Sequence, residues 1–562
     1  MTRRERWLLG FQDLLWVGLL LGLGWLFFSP LPKVHDLKLW DESAYLLRGL
    51  RLAPWHLLPG YGPLYSLGYW VWHIAIPDPI ALYYWMYQLT GVLLPIALYW
   101  AWRRARLYPF WAGFFAAFLT FMRGNSVVWP RVSHGMLILL LVLWGWIWGR
   151  KWPSDALRWA AFGLSFWLGA YVRPEMLAAA LGFGLIAGVL TWREIRQGRW
   201  TSSHRRTAGL LLGVGLLPWV LWGPPIQPSR SWDAFSQHFA VRRQLLGDEV
   251  QDPWRNAPEV IRRYFGSVHS LPEAIQANPQ AVLTHMQANR AEIPSRIRKR
   301  LLLRAMSAPI GRWSLSALWG ATVLFGLGLW ALRFRQGRGR TMLHQVFWME
   351  TPAPLTALAL QLGNATLIFP HDHYLWPALV LSWLLAGLWF APRVEDSPPK
   401  WRSYALLASL GLSLLGAFAI RQSVFDRDIH AWLSRPQAGF RVRETAYWIR
   451  SLPWPDRPIK MLLTAGGWEV YFGPNFTSIP DRLPPGVDLE TYIAQNQVDA
   501  ILFAAPPDGD FFCRGQEAFC RALLAHPEAY GFQRLEGPPG TQVILLVRQG
   551  LLEANSSGPT GE

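Results

Sequence analysis

The chain has 562 residues, is 52% hydrophobic and 15% aromatic, and carries a formal net charge of +18. The basic residues fall mostly in short loops between apolar runs and in one long loop, which argues for membrane topology and anionic lipid and excludes nucleic acid as the partner. Two cysteines do not make a metal site.

In chain order, Trp7 to Phe28 is apolar except for Gln12 and Asp13 and is long enough to cross a hydrocarbon core of about 30 Å. Arg3, Arg4 and Arg6 precede it and should stay in the cytoplasm. Phe27-Phe28-Ser29-Pro30 is a poor cleavage site, so the span reads as an anchor. Asp41 and Glu42 follow on the exported side, where a carboxylate pair is costly unless solvated, paired or used. Ala44 to Leu52 then predicts an amphipathic helix, Pro54 to Pro63 a turn back, and Tyr61 to Ile76 an interfacial or re-entrant helix rather than a crossing.

Later apolar spans run near Ile80–Trp102, Tyr108–Met122, Val132–Gly149, Ala156–Tyr171, Met176–Trp192, Thr207–Trp222, Trp313–Phe334, Met342–Gly363, Tyr374–Phe390 and Ser403–Ile420. With the first they predict about eleven crossings, a mostly α, polytopic transmembrane bundle over 1–420. Arg103 to Arg106, Arg150-Lys151, Arg193 to Arg206, Arg333 to Arg340 and Arg393 to Arg402 then all fall on cytoplasmic loops. Residues 29–79 and 223–311 become exported loops, the second with helical stretches at Ser231–Leu246 and Pro272–Ile297. Its cations meet lipid phosphate, a carrier's pyrophosphate or anionic headgroups.

Residues 421–550 have no span. Ile459 to Leu463 reads as a buried strand, Leu489 to Gln497 as a helix, Val498 to Phe503 as a strand, Glu517 to Ala525 as a helix and Val543 to Val547 as a last strand, a small exported α/β domain. Thr464 to Gly467 reads as a tight strand-to-helix turn, since it lacks the spacing and Lys of a phosphate loop. Cys513 and Cys520 lie too far apart for a bridge on one unbroken helix, but Gly515 can interrupt it, and the oxidising side of the membrane favours a disulfide. Residues 551–562 read as a disordered tail.

Three groups of residues carry chemistry. Asp41 and Glu42 read either as first-turn acids that meet a helix dipole or as functional acids. Arg173, in Tyr171 to Glu175, reads as a cation for oxygen-rich anions or as an interface anchor paired with Glu175. His371-Asp372-His373 has the residue types for a divalent metal, though one Asp between two His is a weak signature, and the residues otherwise wall a site on the side of Asp41. Glu350, within an apparent crossing, reads as having a buried partner at a Pro-loosened helix.

Asp41-Glu42, the helix after it, Tyr61 to Leu67, Tyr171 to Glu175 and His373-Tyr374-Leu375-Trp376-Pro377 resemble, in order and topology, the GT-C superfamily of integral-membrane glycosyltransferases, which includes the protein O-mannosyltransferases and the lipid A aminoarabinose transferases. The resemblance covers roughly residues 1–420. It implies an enzyme of the inner or plasma membrane that takes a sugar from a polyprenyl-phosphate donor and gives it to a lipid, glycan or protein acceptor at the exported face. It further implies Asp41 as base with Glu42 beside it, Arg173 and His373 at the donor phosphate, and Glu175, His134, His371, Asp372 and Tyr374 around the substrate. A divalent metal at Asp41, His371 and Asp372 stays open, since some members use one. Two positions depart: Arg131 to Gly135 stands where many bacterial members carry a Glu-Pro-like element, and His373 where Arg is commoner. A glycolipid carrier or flippase, or a non-catalytic scaffold displaying the α/β domain, are the alternatives; no internal repeat of the transporter kind is visible.

Overall fold

The computed structural model describes residues 3–51, 62–225, 228–250, 252–254, 256–301, 309–310, 313–314, 346–391, 393–394, 442–463, 466–480, 483–484, 486–504, 513 and 516–552. The expected span Ser403–Ile420, all of the expected span Trp313–Phe334 beyond the Trp313–Ser314 strand, the turn residues Thr464 and Ala465, and the tail from 553 lie outside them. Helix dominates the described residues, with a two-stranded antiparallel pair of Pro309–Ile310 and Trp313–Ser314 and a five-stranded sheet near the C-terminus. The chain forms two compact units, one of Met1–Pro30, Ala53–Tyr65 and Tyr87–Arg427, the other of Leu31–Leu52, Ser66–Met86 and Asp428–Glu562.

Among the described residues four helical segments are long and apolar enough to cross a membrane: Leu9–Lys33, Pro79–Arg104, Val132–Gly149 and Met176–Arg196. This is compatible with a membrane protein. Leu181, Leu185, Val189 and Trp192 stay exposed along the last of them, as a surface covered by hydrocarbon would have them. Other expected spans form shorter helices. Pro109–Phe121, with 13 residues, rises only about 20 Å, and Asp155–Ala170 and Pro352–Leu367, with 16 each, about 24 Å.

Within the first unit, α1 (Arg3–Phe28) packs closely on α2 (Pro109–Phe121) because Gly113 has no side chain: a Cβ there would lie 2.0 Å from the Trp16 ring. Asp13 accepts from Tyr99 and is ion-paired to Arg103 at 2.5 Å. Leu107 bridges Arg393, whose guanidinium pairs with the buried Glu350 at 2.6 Å, so Glu350 does have the expected partner. Two segments that loop charge assigns to one side, 103–107 and 393–394, are thus neighbours. The 223–301 region folds on its own core of Phe235, Phe239, Val260, Ile261, Phe265 and Val282. The helix expected over 272–297 is two helices, Leu271–Ala277 and Pro279–Arg296, because Asn278 caps the second through its side-chain oxygen and Pro279 cannot continue the first.

The second unit holds a five-stranded sheet of β1 (Ile459–Leu463), β2 (Phe476–Ile479), β3 (Ala500–Phe503), β4 (Phe532–Glu536) and β5 (Ile544–Arg548), in the order β2-β1-β3-β5-β4. β1 runs parallel to β2 and β3, while β5 is antiparallel to β3 and β4. The helix Glu517–Ala525 starts after Cys513, so the two cysteines come within 5.7 Å (Cα to Cα) and form a disulfide in the core. Residues 31–52 belong to this unit as well. Asp36 receives the Val442 and Arg443 amides at 2.7 and 3.0 Å and caps the helix Val442–Ser451 from 406 residues away. Burial pushes this carboxyl up, against the pull of those amides and of Arg443.

Candidate functional site

The acidic pair opens the helix Asp41–Arg51 in the second unit. Trp40 before it has φ 69, a left-handed conformation uncommon for any residue but Gly, and its carbonyl accepts from the Ser43 hydroxyl at 2.8 Å. The two acids have different surroundings. Glu42 is fully buried and accepts from the Tyr69 hydroxyl at 2.5 Å. Asp41 is exposed and, among the described residues, has neither a hydrogen-bond nor an ion-pair partner. A first-turn position meets the helix dipole in both cases, but only Asp41 presents its carboxylate to solvent.

The other sequence-predicted residues lie in the first unit and come together there. Arg173 follows the helix Asp155–Ala170, and its Nε donates to Glu175 at 2.6 Å, the pairing that the anchor reading expects. Its Nη1 donates to the Ser133 hydroxyl at 3.0 Å, and the guanidinium lies over the Tyr374 ring, 4.6 Å from the centroid. Ser133 in turn donates to the His373 carbonyl at 2.7 Å. One serine therefore joins the starts of two helices, Val132–Gly149 and Asp372–Phe390, to the Arg173 segment.

His134 is buried against Trp376, with its Nε2 2.9 Å from Arg131 Nη1. Arg131 is a donor only, so this nitrogen accepts. Arg131 also donates to Thr90, to the Asn125 and Tyr87 carbonyls, and stacks over the Tyr87 ring. The Arg131 to Gly135 segment thus holds a buried cation, with Thr90, Asn125, Tyr87 and His134 among its acceptors.

His371 and His373 stack at 5.2 Å, and His371 Nε2 lies 2.7 Å from His238 Nε2. His238 Nδ1 contacts the Ala234 carbonyl at 2.6 Å and so carries the proton on that side, which makes His371 the donor of the pair. Asp372 faces Arg300 at 3.7 Å. With His371 Nε2 committed to His238 and Asp372 facing a cation, this segment is a poor fit for a divalent metal; among the described residues no group of three or more His, Cys, Asp or Glu is placed to hold one.

Burial, reinforced by His238, Arg296 and Arg300, pushes the His371 imidazole down to about 3, and burial pushes His285 down to about 4. Unfolded imidazoles titrate near ~6.5, so below that value the folded chain binds fewer protons than the unfolded one and stability falls as pH drops toward 4. His371→Gln is expected to flatten that fall. Denaturation midpoints measured from about pH 7 to about pH 5 check it, and equal slopes in variant and wild type would contradict it.

Ser133 and His238 were not found by sequence reasoning. Ser133 sits inside the Arg131 to Gly135 segment, but a lone serine has no signature. His238 meets His371 across 133 residues, which no local pattern reports. No protein-family model matches the chain, and no curated protein matches it.

Proposed function

We propose that the chain is a multi-pass membrane glycosyltransferase of GT-C type, which moves a sugar from a polyprenyl-phosphate donor to an acceptor hydroxyl at the exported face. The observation that carries this reading is the split of the acidic pair: Glu42 is buried on Tyr69, while Asp41 is exposed and without a partner among the described residues. A carboxylate left in that state at a helix start is available as a base.

In the proposed reaction an Asp41 oxygen takes the proton of the acceptor hydroxyl as that oxygen attacks the anomeric carbon. The bond from the anomeric carbon to the donor phosphate breaks on the opposite face, and polyprenyl phosphate leaves with the electron pair. One displacement inverts the anomeric centre and needs one base, unlike glycosidases with their paired carboxyls. The leaving phosphate calls for cations and donors. Arg173 is proposed for that role, with His373 near it; the Glu175 and Ser133 contacts fix the guanidinium's plane. The remaining predicted crossings, to about eleven, with the N-terminus cytoplasmic and the C-terminal domain exported, belong to this proposal too.

The test is release of polyprenyl phosphate by the purified protein in nanodiscs supplied with a panel of polyprenyl-phosphate hexoses. Turnover of one of them supports the reading, whereas movement of the intact glycolipid between leaflets without cleavage would favour a flippase. Arg173→Gln is expected to weaken polyprenyl-phosphate binding about tenfold or more, by loss of a charge-assisted contact. Unchanged binding in a folded variant, measured by titration against intrinsic fluorescence, would leave Arg173 as an anchor only.

A further inference from the structure

The C-terminal sheet and the segment that bears the acidic pair share one compact unit, and the contacts between them bracket Asp41 on both sides. Before it, Asp36 caps the helix Val442–Ser451, and the Tyr471 hydroxyl donates to the Lys38 carbonyl at 2.8 Å. Tyr471 is wholly buried, and burial, with Glu42, Asp36 and Glu469 nearby, pushes its phenol well above the usual range, so it stays a donor. After it, Arg51 donates to the Phe476 carbonyl in β2 at 2.8 Å.

At the pair itself the turn leaving β1 comes close. Gly467 has φ +97, and a Cβ there would lie 2.0 Å from Ser43 Oγ, 3.0 Å from Ser43 Cβ and 3.1 Å from the Trp40 amide nitrogen. Its own amide donates to Glu469 at 3.0 Å, which holds the turn in place. A side chain at 467 would push the Ser43 hydroxyl off the Trp40 carbonyl and crowd the Trp40 nitrogen, and the positive φ disfavours one as well. Four independent contacts to residues 36, 38, 40–43 and 51 are more than a display module needs.

We infer that the C-terminal domain is part of the transfer machinery: Gly467 and Tyr471 are positioning residues that set the place of the Asp41 carboxylate. The inference rests on the reading of Asp41 as base. A displacement of about 1 Å at a reacting group can cost about a hundredfold in rate; a Cβ at 467 turns the Ser43 hydroxyl away and presses the Trp40 nitrogen by a few tenths of an ångström, a fraction of that displacement.

The test compares Gly467→Ala with Gly473→Ala in the full-length protein. Gly473 has φ +127 and nothing within 4 Å of its Cβ position, so its variant carries the same kind of backbone strain without touching the acidic segment. Gly467→Ala is expected to lower turnover about tenfold while polyprenyl-phosphate binding changes by less than about threefold. Hydrogen exchange of the 41–51 amides should rise in Gly467→Ala alone. If Gly467→Ala fails to fold, Tyr471→Phe, which loses only the Lys38 contact, should show the same split of turnover from binding, at about tenfold. Equal turnover and equal exchange in the 467 and 473 variants, or a Tyr471→Phe protein indistinguishable from wild type, overturns the inference. Should Asp41→Asn keep its turnover, the reading of the base fails, and the exchange comparison alone still decides whether the sheet fixes this segment.

Discussion

Replacing Asp41 by Asn is expected to lower transfer by about 10²- to 10⁴-fold, the range that loss of a general base costs. The same variant should bind polyprenyl phosphate as the wild type does and unfold at the same temperature, because Asp41 is exposed and engages none of the described residues. Glu42 should behave in the opposite way. Its carboxylate is buried and accepts from Tyr69, so Glu42→Ala strands a buried hydroxyl and costs about 1–3 kcal/mol of stability. Glu42→Gln keeps an acceptor and should be milder. Turnover and melting measured on all three variants separate a base from a strut. An Asp41→Asn protein with full turnover ends the assignment, as does one that loses turnover only because it unfolds.

Breaking the Glu350–Arg393 pair is expected to have the largest effect on stability. Glu350 is 6% and Arg393 3% exposed, and Nη2 and Nη1 of the arginine reach the two carboxylate oxygens at 2.6 and 3.3 Å. Removing the carboxylate takes a buried guanidinium's 2.6 Å ion-pair partner away, a loss that costs about 3–5 kcal/mol. Glu350→Ala should therefore melt far below wild type. Replacing both by apolar residues of similar size, Glu350→Leu with Arg393→Met, should recover most of the loss, since neither charge remains to be desolvated. A Glu350→Ala protein within about 0.5 kcal/mol of wild type would show that the pair is not buried in the way described.

What the sequence revealed and what it hid follow one physical division. β1 is legible because Ile459 to Leu463 is a nearly continuous apolar run, as a strand covered on both faces must be. β2, Phe-Thr-Ser-Ile, is an edge strand with polar centre residues and carries no such signal. The helix Val442–Ser451 has its cap on Asp36, hundreds of residues upstream, so no local cap marks its start. The break at Asn278-Pro279 was readable, since Asn and Pro are the residues that end one helix and begin another, and an apolar period carried across it hid the signal.

The site divides in the same way. Neighbours in sequence, such as His371 to Tyr374 and Arg173 with Glu175, were legible as groups. Their joining through Ser133 and His238 was not, because it uses one hydroxyl and one imidazole from distant helices. Least visible was the membership of residues 31–52 in the unit of the C-terminal sheet. Its ties join the Asp36 carboxylate to backbone amides, the Arg51 and Tyr471 side chains to backbone carbonyls, and a missing Cβ at Gly467 to Trp40 and Ser43, all between residues hundreds of positions apart, so no local pattern reports them.

The most direct test of the central claim is mass spectrometry of the polyprenyl-linked sugars in cells that lack this chain, compared with cells given back the wild type or Asp41→Asn. The account predicts that one polyprenyl-phosphate sugar accumulates on loss, is cleared by the wild type and persists with Asp41→Asn. A lipid-linked pool that does not change on loss, or that Asp41→Asn clears as fast as the wild type, would contradict it.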